Sequence, residues 1–372
     1  MTHPLVAQWL ETARNEIGEA RVRLASWGIT LEEEQPFLGG EQPYIQNAAT
    51  ARGWTVTLFG RRGKRRRKRV VVKIGLNEEG CRLLRKSREA HEAFDALRFA
   101  YEPFSVPREL IACPGAPLPW LIVYEYMPQE RAFTDLPPTK QFAVVARALR
   151  PLEETYALMR HHLRRALRTF GITPPTRGEE ITRQATALAR ETGNPPIAGT
   201  LEQASERLAK ERAWIEMYHP FLTHPDFVPH NFRVTPDGTV VLLDVGDLEF
   251  GNKHTGWARL ALWAQLHSPV LARAIYDHFA RFRPEEEQRS FDAMRIARAA
   301  ELLLHYLSIL PLTEENSAMQ KLTRERIALW HNTLRALLEG EEPPEAAFAA
   351  YRTRRDALRD DREKSRQQHL YT

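Results

Sequence analysis

Residues 221–247, FLTHPDFVPHNFRVTPDGTVVLLDVGD, decide the fold. Two short apolar runs, Phe232 to Val234 and Val240 to Leu243, flank the turn Thr235-Pro236-Asp237-Gly238, so the segment reads as a loop running into a tight hairpin. Polar residues gather at the open end of that hairpin. His224, Asp226 and Asn231 are spaced His-x-Asp-x-x-x-x-Asn on the approach, and Asp244 stands where the second run stops. Apolar strands pin both ends, which aims the three oxygen-bearing side chains at one point. A chain of this composition produces the loop spacing by chance in roughly one sequence in a hundred.

Working outward, the hairpin is an island among helices. Residues 141–170, 178–192 and 201–218 carry helical spacing before it, and helices resume after Gly251. Upstream the texture changes to β-type runs: Thr55 to Phe59 (TVTLF), Val70 to Ile74 (VVVKI) and Leu121 to Met127 (LIVYEYM). One amphipathic helix, Glu78 to Phe99, lies among those runs, and another, Pro4 to Trp27, leads the chain. The order implies an α+β, bilobal protein: a small antiparallel-sheet lobe followed by a larger, mainly helical one. The divisions fall at 1–30 for the leading helix, 31–127 for the small lobe, 128–138 for a proline-bearing connector, 139–341 for the helical lobe and 342–372 for a tail so densely charged that it reads as a solvated or partly frayed helix.

Composition narrows the class. Of 372 residues 43% are apolar and 27% charged, which excludes wholesale disorder and a fibrous protein. Cys81 and Cys113 belong to no CxxC spacing, so neither a disulfide framework nor a structural zinc site is expected. The chain has no apolar run of about 18 residues, and its amphipathic start does not resemble a secretion signal; the expected location is cytoplasmic. A net charge of +5 does not announce a nucleic-acid binder. Its distribution is uneven, because Arg61, Arg62, Lys64, Arg65, Arg66, Arg67, Lys68 and Arg69 crowd into one turn between two strands. That turn is a candidate docking point for nucleic acid or another anionic partner, or else a solvated hairpin tip.

The loop chemistry points to phosphoryl transfer, which asks a protein mainly for positioning and charge neutralisation: one carboxylate to orient a hydroxyl, and oxygen ligands to fix Mg2+ on a triphosphate. With Lys73 on a strand far upstream and an acidic helix after it, the set resembles the protein-kinase-like superfamily, most closely its aminoglycoside phosphotransferase branch of small-molecule kinases. The resemblance spans Leu31 to about Leu310. It implies that Asp226 is the catalytic aspartate, that His224 braces the loop, that Asn231 and Asp244 hold Mg2+, and that Lys73 contacts the phosphates of ATP. It further implies a glutamate partner for Lys73 on the small-lobe helix, Glu89 in preference to Glu92, and a hinge in which backbone groups near Glu125 and Met127 meet adenine.

The sequence also departs from that branch. No GxGxxG precedes Lys73, and Gly39-Gly40 and Ala51-Arg52-Gly53 are the only candidate phosphate-covering turns. The stretch Gly251 to Ala258 lacks the acid that usually opens the following helix. His161 and His162 have no partner at metal spacing, and Trp257, Trp263 and the run Leu302 to Leu307 read as core before pocket wall. The reading is an ATP- and Mg2+-dependent phosphotransferase acting on a hydroxyl of a small molecule. The alternative is a nucleotide-binding module that has lost transfer and works through the basic turn. An aminoglycoside would call for an acidic pocket, for which Asp247, Glu249, Asp292 and Glu301 are the candidates.

Overall fold

Alternation along one strand organises the small lobe. Strand β3 (Lys68–Gly75) buries Val70, Val72 and Ile74 on one face and turns Val71 and Lys73 to the other. In the computed structural model, which describes residues 4–33, 35, 54–63, 68–97, 104–114, 119–129, 131–157, 164–315 and 317–359, β3 lies at the centre of a five-stranded sheet. The order across it is β1 (Ile29–Leu31), β2 (Thr55–Arg62), β3, β6 (Pro119–Glu125) and β5 (Glu109–Pro114), with every pairing antiparallel. Helix α1 (Pro4–Ser26) lies on the face that buries Val70 and Val72, packing Trp9, Ala13, Ala20 and Leu24 against it. Glu16 secures α1 to the sheet by accepting a hydrogen bond from the Trp120 indole at 2.6 Å. Helix α2 (Glu78–Asp95), capped by the Asn77 side chain, covers part of the opposite face through Leu84, which meets Val71, Ile122 and Tyr124.

Beyond Glu125 the chain crosses to the helical lobe: α3 (Pro138–Glu154), α4 (Arg164–Phe170), α5 (Arg177–Glu191), α6 (Pro195–Lys210) and α7 (Arg212–Met217). The expected hairpin is present as β8 (Phe232–Val234) and β9 (Val240–Leu242), and β4 (Phe104–Ser105) joins it in parallel from the small-lobe side. A second ribbon pairs β7 (Phe221–Thr223) with β10 (Glu249–Gly251). Helices α8 (Thr255–His267), α9 (Pro269–Phe282), α10 (Glu285–Ile309), α11 (Ala318–Glu339) and α12 (Glu345–Leu358) complete the lobe. Helix α10 is its axis, packed on α5, α6, α8 and α11, and the small residues Ala293, Ala297 and Ala300 allow those close approaches. The α+β bilobal architecture expected from the sequence is thus the one observed.

Two parts of the chain differ from the sequence reading. The charged tail does not simply stand in solvent, because α12 buries Phe348 and Tyr351 in the large core; aromatics three apart among charges suffice to seat a helix. The basic turn is also partly built into the sheet, since β2 and β3 run on through Arg62 and Lys68. Arg61 and Arg69 both pair with Glu32, and Arg69 lies over the rings of Phe59 and Tyr126. Lys64 to Arg67, both glycine turns proposed for a phosphate-covering loop, and His161-His162 lie outside the described residues. Among the described residues no helix is long and apolar enough to cross a membrane.

Trp9 is fully buried between α1 and the sheet, so Trp9→Ala removes the main anchor of that helix. We expect a loss of about 3–5 kcal/mol in the denaturant-induced unfolding of the small lobe.

Candidate active site

The free face of the small sheet closes one side of a cleft of about 240 Å3. Thr57 and Phe59 of β2, Val71 and Lys73 of β3, and Tyr124 of β6 line it from above. Asn231, Leu243 and Asp244 line it from the helical lobe, and Glu125, Tyr126 and Met127 close its connecting edge. Lys73 and Asp244, far apart in sequence, therefore face one space, and Glu125 and Met127 meet them there. The backbone N–H of Glu125 donates to the Arg108 carbonyl at 3.0 Å, and its carboxylate accepts from the Arg108 N–H at 2.8 Å.

Hairpin register explains how Asn231 and Asp244 come together. Phe232 pairs with Leu242, so the next step outward sets Asn231 opposite Leu243, whose N–H donates to the Asn231 carbonyl at 2.9 Å. Asp244 follows directly. The Asn231 amide donates both to the Asp226 backbone oxygen at 2.9 Å and to its carboxylate Oδ2 at 2.8 Å. With its nitrogen so committed, the side-chain Oδ1 is left as the acceptor of that amide. Phe227 stacks on Phe232 with ring centroids 5.0 Å apart, clamping the loop to the hairpin beneath the site. His224 is fully buried and lies edge-on to Phe227, its carbonyl accepting the Phe227 N–H.

Asp226 is held by a residue the sequence reading passed over. Arg259, in the first turns of α8, donates from Nε to Asp226 Oδ1 at 2.7 Å. Burial alone would raise the pKa of this carboxyl, but Arg259, His230 and Arg298 outweigh it and hold the group well below the usual carboxylate range. The first turn of α8 carries no acid, and its Gly256 lies against the loop. A Cβ there would lie 3.2 Å from the His224 carbonyl oxygen, so glycine lets the helix approach the loop closely enough for Arg259 to reach Asp226.

The expected glutamate partner of Lys73 is not where the resemblance puts it. Glu89 is exposed on α2 and faces Arg85, while Glu92 pairs with Arg165 of α4. The side of α2 that faces the sheet carries Leu84, Ser87, His91 and Phe94, and His91 lines the cleft. Burial, then the charge of Lys73, pushes His91 down to about 4 against the opposing pull of Asp244, so a neutral imidazole stands near the lysine at neutral pH. The three- and four-residue spacing from Leu84 to Phe94 was the available signal. Arg69, assigned above to an outward turn, also lines the cleft. Trp257 and Trp263 are buried core residues, as their spacing suggested.

The sequence model of the phosphotransferase enzyme family matches residues 49–291, from just before β2 into α10. The chain belongs to the phosphotransferase enzyme family. None of the curated proteins matches it significantly. Among solved structures, this family member is similar to aminoglycoside 2'-phosphotransferase-IIIa in its GDP complex, with a TM-score of 0.54 and 12% identity over 90% of this chain and 99% of that one. It is also similar to aminoglycoside phosphotransferase APH(4)-Ia, with a TM-score of 0.53 and 13% identity over 88% and 98%. A mutant of the latter in complex with ADP and hygromycin B gives 0.52 and 12% over 86% and 97%. At such identities the likeness is one of fold.

In this phosphotransferase-family chain α8 is seated from behind by an ionic network. Glu287 of α10 accepts from Lys253 at 2.9 Å, from His254 at 3.2 Å and from Arg283 at 3.0 Å, and Arg283 in turn pairs with the buried Glu153, which also accepts from the Trp257 indole. Burial opposes the charge on Glu287, but its His254 and Lys253 donors bring the pKa down to about 2. The folded-state pKa is depressed, so this stabilisation is complete above about 4.5, the ordinary value, and is lost as the pH falls toward 2. We expect Glu287→Gln to cost about 3 kcal/mol at neutral pH and to flatten the acid limb of stability between those values, measured by denaturant titration at a series of pH values.

Proposed function

We propose that this chain transfers the γ-phosphoryl group of ATP to a hydroxyl of a small molecule. The observation that carries the reading is the meeting of Lys73, Asn231 and Asp244 on one cleft, with the Asp226 carboxylate fixed by the Asn231 amide. Solved structures of similar fold contain ADP or GDP, which supports a nucleotide in this cleft. The turn after Asp244 runs directly into β10, which is paired to β7, so there is no long segment on which a protein substrate would lie. No observation among the described residues favours the non-transferring alternative.

The donor set suits magnesium. Asn231 Oδ1 and the Asp244 carboxylate are hard oxygen ligands, and Mg2+ commonly takes one or two such protein groups while phosphates and waters fill the rest. Bound with the nucleotide, the ion would neutralise charge on the β- and γ-phosphates. Lys73 pairs with phosphate oxygens from the opposite wall, and main-chain groups from Glu125 to Met127 face the base. The acceptor hydroxyl donates to Asp226, and its oxygen attacks the γ-phosphorus. A new O–P bond forms as the bond to the bridging oxygen breaks, ADP leaves with that electron pair, and the hydroxyl proton passes to Asp226. Because its neighbours hold Asp226 strongly acidic, the carboxylate orients the hydroxyl early and takes the proton late, which suits a loose phosphoryl transfer.

Thermal unfolding with ATP tests the reading. At a hundredfold excess over Kd, Mg-ATP is expected to add about 2.7 kcal/mol, a rise of a few degrees in Tm. The shift should need Mg2+ and shrink in Asp244→Ala, whereas Asp226→Asn should keep the shift and lose turnover. No response to any nucleotide would refute the proposal.

A further inference from the structure

We infer that Arg233 reads the base of the donor nucleotide, its guanidinium giving hydrogen bonds to acceptor atoms of a purine; this deepens the phosphotransferase reading above and rests on it. Arg233 is the middle residue of β8. It is only 8% exposed, yet it lines the cleft together with Tyr126 and Met127.

The hairpin sets Arg233 at the nucleoside end of that cleft. Asn231 and Arg233 stand two apart and both line it, and strand geometry separates them by about 6–7 Å. Asn231 lies at the end that carries Asp244, where the phosphates and their cation are proposed to sit. On the far side of Arg233, Val234 donates its N–H to Gln129 Oε1 at 3.1 Å, which fixes that end of the hairpin to the connector just past Met127. A triphosphate held by Lys73 and Asp244 therefore carries its ribose and base toward Arg233.

The other guanidinium at this end is committed. Arg69 gives Nε and Nη2 to Glu32 at 3.1 and 2.9 Å and lies over the rings of Phe59 and Tyr126. Arg233 is not. Of its five N–H groups, one on Nη1 goes to the carbonyl of the preceding residue, Phe232, at 2.9 Å, and among the described residues no carboxylate pairs with it. Glu125, the acid on the connecting edge, accepts from the Arg108 N–H instead. Burial pushes the Arg233 pKa down, with the Tyr126 phenol opposing. A guanidinium withdrawn from water without a counter-charge destabilises the fold, and a bond to its own neighbour ties Arg233 to no other element. Its remaining donors are instead placed to meet a base. Purines offer ring nitrogens as acceptors, and guanine adds a carbonyl beside N7, the pair that an arginine fork grips in nucleic-acid recognition.

Calorimetric dissociation constants on the full-length protein test this without knowledge of the acceptor. The probes are Mg-ATP, Mg-GTP and the magnesium complex of ribose 5-triphosphate, which has no base. Arg233→Met is expected to weaken at least one of the purine nucleotides about tenfold or more and to leave the base-less triphosphate unchanged. It should not lower the Tm of the unliganded protein, because it removes a buried charge that has no partner. Arg233→Lys, which keeps the charge and loses the fork, should recover part of the affinity. A loss confined to GTP identifies the guanine carbonyl as the atom read, and a loss that includes ATP identifies a ring nitrogen. Unchanged affinity of Arg233→Met for both purine nucleotides, or an equal weakening of the base-less triphosphate, would overturn the inference. So would a fall of several degrees in the unliganded Tm, which would make the arginine structural. Each of those results leaves the phosphotransferase reading standing, whereas failure of the unaltered protein to bind any nucleotide would remove that reading and this inference with it.

Discussion

Asn231 is the residue through which the site holds together. Its carbonyl accepts the Leu243 N–H, which ties the loop to the strand that ends in Asp244, and its amide donates twice to Asp226. One side chain and one peptide thus set the distance between the Asp226 carboxylate and the Asp244 carboxylate. The stacked Phe227 and Phe232 beneath it convert hydrophobic burial into positional precision, because the polar groups above cannot shift without opening the core.

The helical lobe supports that arrangement electrostatically. Asp226 is only partly exposed, and Arg259 offsets the cost of withdrawing its charge from water while keeping the carboxylate ionised. Arg259 in turn is placed by α8, whose start is held by Lys253, His254 and Asn252 against α10; the Asn252 amide donates to the Ile215 carbonyl and to Ser290. The chain thus dispenses with an acid at the head of α8. Gly256 allows the approach, and the arginine one turn further supplies the contact from the opposite sign of charge.

Much of this was legible in the sequence, and the division has a physical cause. The hairpin, the strand lysine and the change of texture near Met127 all depend on local periodicity and turn chemistry, which sequence carries directly. Glu89 was misplaced because helical spacing shows which residues share a face without saying which face turns inward. The apolar positions Leu84 and Phe94 decide that, and they carry Ser87 and His91 with them rather than Glu89. Arg259 had no local signature, since its role exists only once α8 crosses the loop. Arg69 was read as part of a uniform charge run, but strand alternation and the Phe59 and Tyr126 rings draw that one arginine to the cleft. A tertiary contact such as that of Arg259 with Asp226 joins residues far apart in the chain, where spacing carries no information.

A crystal structure grown with Mn2+ and a non-hydrolysable ATP analogue would locate the nucleotide and its metal. We expect an anomalous peak bonded to Asn231 Oδ1 and the Asp244 carboxylate, with the triphosphate reaching Lys73 and the γ-phosphate turned toward Asp226. A nucleotide bound outside this cleft, or a metal held by other ligands with Asn231 and Asp244 left empty, would contradict it.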